Sequence, residues 1–246
     1  MFSLILVSIV GLCFGSFLNV LIHRLPINQS IIFPGSYCTH CHKSIPWFHN
    51  IPLLSYLFLR ARSSCCNQWI SIQYPLIEFL SLLLWLWSFS YIDSVNERAI
   101  FLIISSILIV IALSDLHHYI IPIELNIILF SILILNYFLN GIDNYYYHLL
   151  SGMFLAMMFL LLMLITNYII KKQSMGYGDI ILIGFIGMWL GLFKGLAVIF
   201  FGSVISLVHW IFLSKKQDSQ IMIPFGFSLS ICAIATYIIY RVCCTY

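Results

Sequence analysis

Four carboxylates, Glu78, Asp115, Glu124 and Asp179, lie in or at the ends of long apolar runs, whereas Asp93, Glu97, Asp143 and Asp218 fall in loops. An ionisable group inside an apolar span costs free energy, which makes these four the first candidates for chemistry. Asp115 follows AIFLIISSILIVIALS, a run that as helix covers about 24 Å of a hydrocarbon layer about 30 Å thick, so it falls just inside one membrane boundary. Asp179 follows GYG and opens the run IILIGFIGMWLG from the same side, at a similar depth. Two close carboxylates cannot comfortably ionise together and share a proton, which is the requirement for aspartyl hydrolysis. One member takes a proton from the attacking water; the other donates to the carbonyl oxygen and then to the leaving amine. Helix direction assigns the base's part to Asp179, at a helix start, and the proton carrier's part to Asp115, near a helix end. The plainer reading of Asp179 is an N-cap, and Gly176 and Gly178 beside it read either as a simple turn or as a loop that allows close backbone approach.

A second cluster is built of thiols. Cys38 and Cys41 form a CxxC unit flanked by His40 and His42, and Cys65 and Cys66 follow in ARSSCC. In a loop assigned to a reducing compartment this pattern favours zinc over disulfides. A site of Cys38, Cys41, Cys65 and Cys66 would be structural, because four protein ligands leave no open position. Adjacent ligands are geometrically awkward, so unligated thiols are the alternative. Cys13 and Cys232 read as small buried hydrophobes.

The elements that must hold these groups are membrane helices. The chain is 62% hydrophobic and 8% charged, with a mean hydropathy of +1.06, outside the range of soluble domains. The expected fold is an all-α polytopic membrane protein of about eight transmembrane helices with one cysteine-containing cytoplasmic loop. Spans are expected near 3–22, 74–92, 99–119, 120–140, 149–170, 179–193, 195–213 and 222–241. Only Phe193 and Lys194 separate the sixth and seventh, which allows a single broken segment there. The organisation is a first helix over 1–22, the loop over 23–72 and a helical catalytic core over 73–246. With the N-terminus outside, Arg24, Lys43, Arg60, Arg62, Lys171, Lys172, Lys215 and Lys216 fall in cytoplasmic segments against Arg98, Lys194 and Arg241 outside, as the positive-inside rule requires. Membrane lipid is the partner this composition implies, and the net charge of +3 needs no nucleic acid to explain it. No internal repeat is evident, and NGIDNYYYH at 140–148 reads as an outer interfacial loop.

GSFLNVLIHRLP at 15–26, CTHCHKSIPWFHNIPLLSYLFLRAR at 38–62, ISIQYPLIE at 70–78, DLHHYIIP at 115–122, MGYGDIIL at 175–182 and IPFGFSL at 223–229 carry a resemblance. In this order they resemble the type IV prepilin leader peptidases and N-methyltransferases, GxGD membrane aspartyl proteases. The resemblance implies a multi-pass enzyme of the bacterial inner membrane with its active site facing the cytoplasm. It would cut the basic leader from prepilins or pseudopilins of type IV pilus, type II secretion or competence systems. It would then methylate the new N-terminus with S-adenosylmethionine. The two family aspartates map onto Asp115 and Asp179, and the cofactor search falls on Asn50, Pro52, Tyr74, Pro75 and Glu78. Glu78 would pair with the substrate's N-terminal ammonium or balance Arg24 or Arg62. Four positions depart from the family pattern: Ser63 stands where the second CxxC would begin, Ile181 replaces a lysine, Ile123 replaces an acid or asparagine, and IPFGF replaces IPFGP. Two alternatives accompany this reading, a peptidase-only homologue and a small proton or cation transporter using Asp115, Glu124, Asp179, His117 and His118. The large cysteine-bearing loop speaks against the transporter.

Overall fold

The computed structural model describes residues 2–140, 145–214 and 223–244. Within them the apolar runs become α1 (Phe2–Arg24), α3 (Gln73–Tyr91), α4 (Val95–His118), α5 (Ile123–Asn140), α6 (Tyr145–Ile170), α7 (Tyr177–Leu190), α8 (Leu192–Ser214) and α9 (Phe225–Cys244), and the loop adds a short α2 (Leu54–Phe58). Each of the eight expected spans thus has its helix, with ends displaced by a few residues. Five are long and apolar enough to cross a membrane, and α5 and α7 contain shorter apolar helices. The protein is an all-α membrane protein. Asp143, Lys215, Lys216 and Asp218 lie outside the described residues, as does part of the tyrosine-rich loop.

The break between the sixth and seventh spans differs from expectation. It falls at Gly191, not at Phe193 and Lys194, which belong to α8. Gly191 has φ +83° and ψ 174°, a backbone conformation that side chains disfavour, and this separates two distinct helices.

The chain divides into two compact units, Met1–Leu102 and Ile103–Tyr246, with the boundary inside α4. In the first, α1 packs along α3. A Cβ on Gly15 would lie 2.6 Å from the Cα of Glu78, so only glycine lets the helices meet this closely. Ser81 Oγ donates to the Gly11 carbonyl at 2.8 Å, and Asn19 Nδ2 donates to the Tyr74 carbonyl at 3.2 Å. Polar bonds between helices matter here because lipid tails are as apolar as leucine, so burial alone drives little association.

In the second unit α7 is the central helix, packed by α5, α6, α8 and α9. Ile180, Leu182, Ile183, Ile186 and Leu190 are buried. With 14 residues it is about 21 Å long, less than the roughly 30 Å of hydrocarbon. Its last turn is held from two sides: the Tyr137 hydroxyl donates to the Met188 carbonyl, and His148 Nδ1 meets the same oxygen at 2.9 Å. Fixing that end sets the depth of the other, where Asp179 sits.

Candidate active site, cysteine cluster and cavity

Asp115 lies three residues before the end of α4, and its side chain is buried. The helix stops where Tyr119, at φ +55°, donates its N–H to the Asp115 carbonyl at 2.9 Å. Ser114 Oγ then ties down the Ile120 carbonyl at 2.9 Å. The Asp115 carboxylate accepts the Phe227 N–H at Oδ2, 3.0 Å away, and bonds the Gly226 amide as well. Both amides belong to the first turn of α9, where helix N–H groups have no partner of their own.

Asp179 is the third residue of α7, and its half-buried carboxylate reaches back to the amide of Gly176, the N-cap. It is therefore not the N-cap itself but the reaching arm of a capping-box arrangement. Asp115 acts electrostatically on Asp179. Ile121 lies between the two glycine segments. A Cβ on Gly178 would meet its Cδ1 at 3.3 Å, and one on Gly226 would meet it at 3.2 Å. DLHHYII, GYGD and PFGF therefore converge around one carboxylate pair.

This arrangement alters the asymmetry drawn from helix direction. The sequence places only Asp179 at a helix start, but the fold brings the start of α9 to Asp115. The signal was present in IPFGF, whose phenylalanine supplies an N–H that the proline of IPFGP lacks. Glu124, His117 and His118 are exposed, as is Ile181 on α7.

The four loop cysteines come together, with all their Sγ atoms within 4.8 Å of one another. Cys41 and Cys65 are 3.1 Å apart, and Cys38 and Cys66 are 3.7 Å apart. A tetrahedral zinc with Zn–S bonds of about 2.3 Å needs sulfurs about 3.8 Å apart, so this donor set fits the ion. Two similar turns build it. In residues 37–44 Cys38 N–H donates to the Lys43 carbonyl and His42 N–H to the Cys38 carbonyl, both at 2.9 Å; in 62–69 Ser63 and Asn67 make the same bonds to Gln68 and Ser63, at 2.8 and 2.9 Å. His42 and Asn67 have φ of +58° and +59°, and each turn closes on an isolated β-bridge, Tyr37 with Ser44 and Arg62 with Trp69.

This is a local repeat that the sequence did not reveal, since little but one cysteine survives in both copies. Ser63 occupies the place of Cys38 and Cys66 that of Cys41. Cys65 turns inward, with its Sγ 2.9 Å from Ser63 Oγ, and so supplies the fourth sulfur. Burial opposes ionisation of Cys38, but the Ser63 hydroxyl and the Cys41 and His40 amides outweigh it and bring the thiol down to about 5. Cys41 receives the Lys43 amide, yet contact with Cys65 and burial hold it at about 11. Cys41 does not become a thiolate unaided; a dication would supply the missing stabilisation.

The first unit also encloses a cavity of about 320 Å³, within the range of small-molecule sites. Asn50, Tyr74 and Glu78 line it; Pro52 and Pro75 do not. Sequence reasoning missed Asn19, Arg24, Tyr56 and Trp69, which are among its other lining residues. Glu78 balances neither arginine. Its Oε2 accepts the Leu53 N–H at 2.8 Å and it bonds Ser16, whereas Arg24 donates to the Ser30 and Gly35 carbonyls and Arg62 stacks over Trp69. Leu53 is held at φ +58°, ψ −47°, a strained conformation costing about 1–3 kcal/mol, in presenting that amide.

The two units match two family models. Residues 102–211 match the Type IV leader peptidase family, and residues 9–92 match the Bacterial Peptidase A24 N-terminal domain. Proteins called prepilin leader peptidase/N-methyltransferase are similar along most of the chain. That of Klebsiella pneumoniae is 34% identical, covering 74% of this chain and 82% of its own, and that of Pectobacterium carotovorum is 32% identical, covering 89% and 87%. A Myxococcus xanthus protein of the same name is 34% identical over 80% of this chain, which spans 58% of that protein's length. No solved structure matches. The chain belongs to the type IV leader peptidase family.

Proposed function

We propose that this protein is a membrane aspartyl endopeptidase that removes the leader of prepilins or pseudopilins and N-methylates the new N-terminal residue. Asp115 and Asp179 are the hydrolytic pair. The observation that carries this reading is the seat of Asp115, a buried carboxylate held by the first turn of α9 and within electrostatic reach of Asp179. One carboxylate takes a proton from water as its oxygen attacks the scissile carbonyl. The other, protonated, donates to the carbonyl oxygen; as the intermediate collapses it recovers that proton, and the first carboxylate passes its own to the leaving amine. Gly178 and Gly226 keep the approach to the pair free of side chains. The active site faces the cytoplasm of a bacterial inner membrane, where a prepilin's basic leader remains, and family membership displaces the transporter alternative.

The thiol cluster is a structural zinc site of Cys38, Cys41, Cys65 and Cys66. The cavity of the first unit is the methyl-donor site. Its fit to S-adenosylmethionine rests on its volume, its aromatic walls Tyr56, Trp69 and Tyr74, and two buried charged side chains that do not pair with each other, Arg24 and Glu78. When bound, that donor supplies an electrophilic methyl group on a sulfonium. The chain's own residues bind it, shield it from water and hold the receiving amine.

The test is co-expression with a prepilin, following leader removal and N-terminal mass. Asp115→Asn and Asp179→Asn are each expected to lower cleavage by about a thousandfold or more, the scale of losing an acid–base group together with its partner's function. Cleavage that survives either substitution refutes the pair, and cleavage by the wild type with no methyl mass refutes the second activity.

A further inference from the structure

Three buried polar groups line the cavity of the first unit without a charged partner. Arg24, Glu78 and Asn19 are 7%, 7% and 3% exposed. Among the described residues neither Arg24 nor Glu78 makes an ion pair. Arg24 is held by two carbonyls, at 2.9 and 3.0 Å, and lies over the Tyr37 ring; Glu78 is held by an amide and a hydroxyl. The arginine has five N–H donors and those bonds use two; the carboxylate has about four acceptor positions and uses two. Asn19 gives both its N–H bonds to carbonyls, of Gly15 and Tyr74, which fixes its amide orientation and leaves Oδ1 buried with nothing to accept. A buried charge without a counter-charge costs several kcal/mol, and an unmet buried acceptor about 1–3 kcal/mol. Beside Cys38 and the histidines His23, His40 and His49, this wall carries a guanidinium and a carboxylate that do not pair with each other, an arrangement complementary to a zwitterion.

Resting on the reading of this cavity as the methyl-donor site, we infer that it recognises the amino-acid end of S-adenosylmethionine by charge, Arg24 taking the α-carboxylate and Glu78 taking the α-ammonium. The guanidinium fork matches a carboxylate in two parallel bonds. An ammonium has three donors, and the open acceptor positions of the Glu78 carboxylate take bonds from it. Tyr56, Trp69 and Tyr74 remain for the adenosine end. Glu78 is then a cofactor ligand and not the partner of the cleaved substrate's N-terminus. Because the thioether product S-adenosylhomocysteine keeps the same zwitterion, this end does not distinguish donor from product.

Equilibrium binding to the full chain in detergent tests this, with S-adenosylhomocysteine and its decarboxylated and deaminated analogues as probes. For the wild type, loss of either group is expected to weaken binding about 10- to 100-fold, the scale of a charge-assisted hydrogen bond. In Arg24→Gln the decarboxylated analogue should bind as well as S-adenosylhomocysteine, while the deaminated one keeps its penalty. Glu78→Gln should invert the pattern. Arg24→Lys, which keeps the charge, should retain most of the carboxylate penalty, and elution and melting of each variant report its folding. Equal penalties in wild type and variants overturn the assignment. Failure of the cavity reading looks different: S-adenosylhomocysteine then does not bind the wild type, or binds undiminished when Val20→Trp fills the cavity.

Discussion

Replacing Gly226 with alanine perturbs the proposed hydrolytic pair through one methyl group. The added Cβ would stand 3.1 Å from Asp115 Oδ2 and 3.2 Å from Ile121 Cδ1, where ordinary contacts begin at 3.4 Å. Asp115 must therefore yield by a few tenths of an ångström, and the oxygen that moves is the one accepting the Phe227 N–H at 3.0 Å. A hydrogen bond to a charged group contributes about 1.5–3 kcal/mol, and each 1.36 kcal/mol is about tenfold in rate. Impairing it should lower kcat/KM for leader cleavage about 10- to 100-fold, through kcat, because the contact is with the reacting group. Time courses of leader loss by mass spectrometry, on purified enzyme and prepilin in detergent, measure it. Ile121→Val removes Cδ1 and relieves the second contact only. It should therefore restore little of the activity lost in Gly226→Ala, because the contact with Asp115 Oδ2 remains. A kcat/KM within about threefold of wild type, or a loss confined to KM, would refute the reasoning.

The cysteine cluster predicts about one zinc per chain in protein purified without chelators, measured by elemental analysis. Cys65→Ser should release most of it, and Ser63→Cys added to that variant should restore it by returning a thiol to the place that matches Cys38; unchanged zinc in Cys65→Ser would remove Cys65 from the site. Gly152→Ala places a methyl 2.3 Å from Met188 Cγ and 2.6 Å from the Gly184 carbonyl oxygen, between α6 and α7. Backbone cannot swing aside, so a loss of about 1–3 kcal/mol, or several degrees of melting temperature, is expected in detergent. Unchanged melting would show that the two helices are not packed this closely.

Hydropathy alone determined the all-α membrane class and the positions of eight helices, because a span must be about 20 apolar residues long and must satisfy its backbone internally. It also led to the expectation that Asp115 and Asp179 lie at one depth, since depth follows from run length. It misplaced the break before α8, because the positive-φ conformation at Gly191 is a property of one residue and leaves no mark on hydropathy. The family blocks marked Glu78, but in that sequence a buried glutamate near basic residues reads as half of an ion pair.

Tertiary structure decided the rest, because charge partners and close approaches are relations between segments distant in sequence. It carried the first turn of α9 to Asp115, 112 residues away along the chain. It let Cys65 fill the gap left by Ser63 within two matching turns, and it placed Arg24, Glu78 and Asn19 around one cavity without pairing them. The sequence names the residues that can do chemistry; the N–H or charge each one meets, or fails to meet, is set by packing.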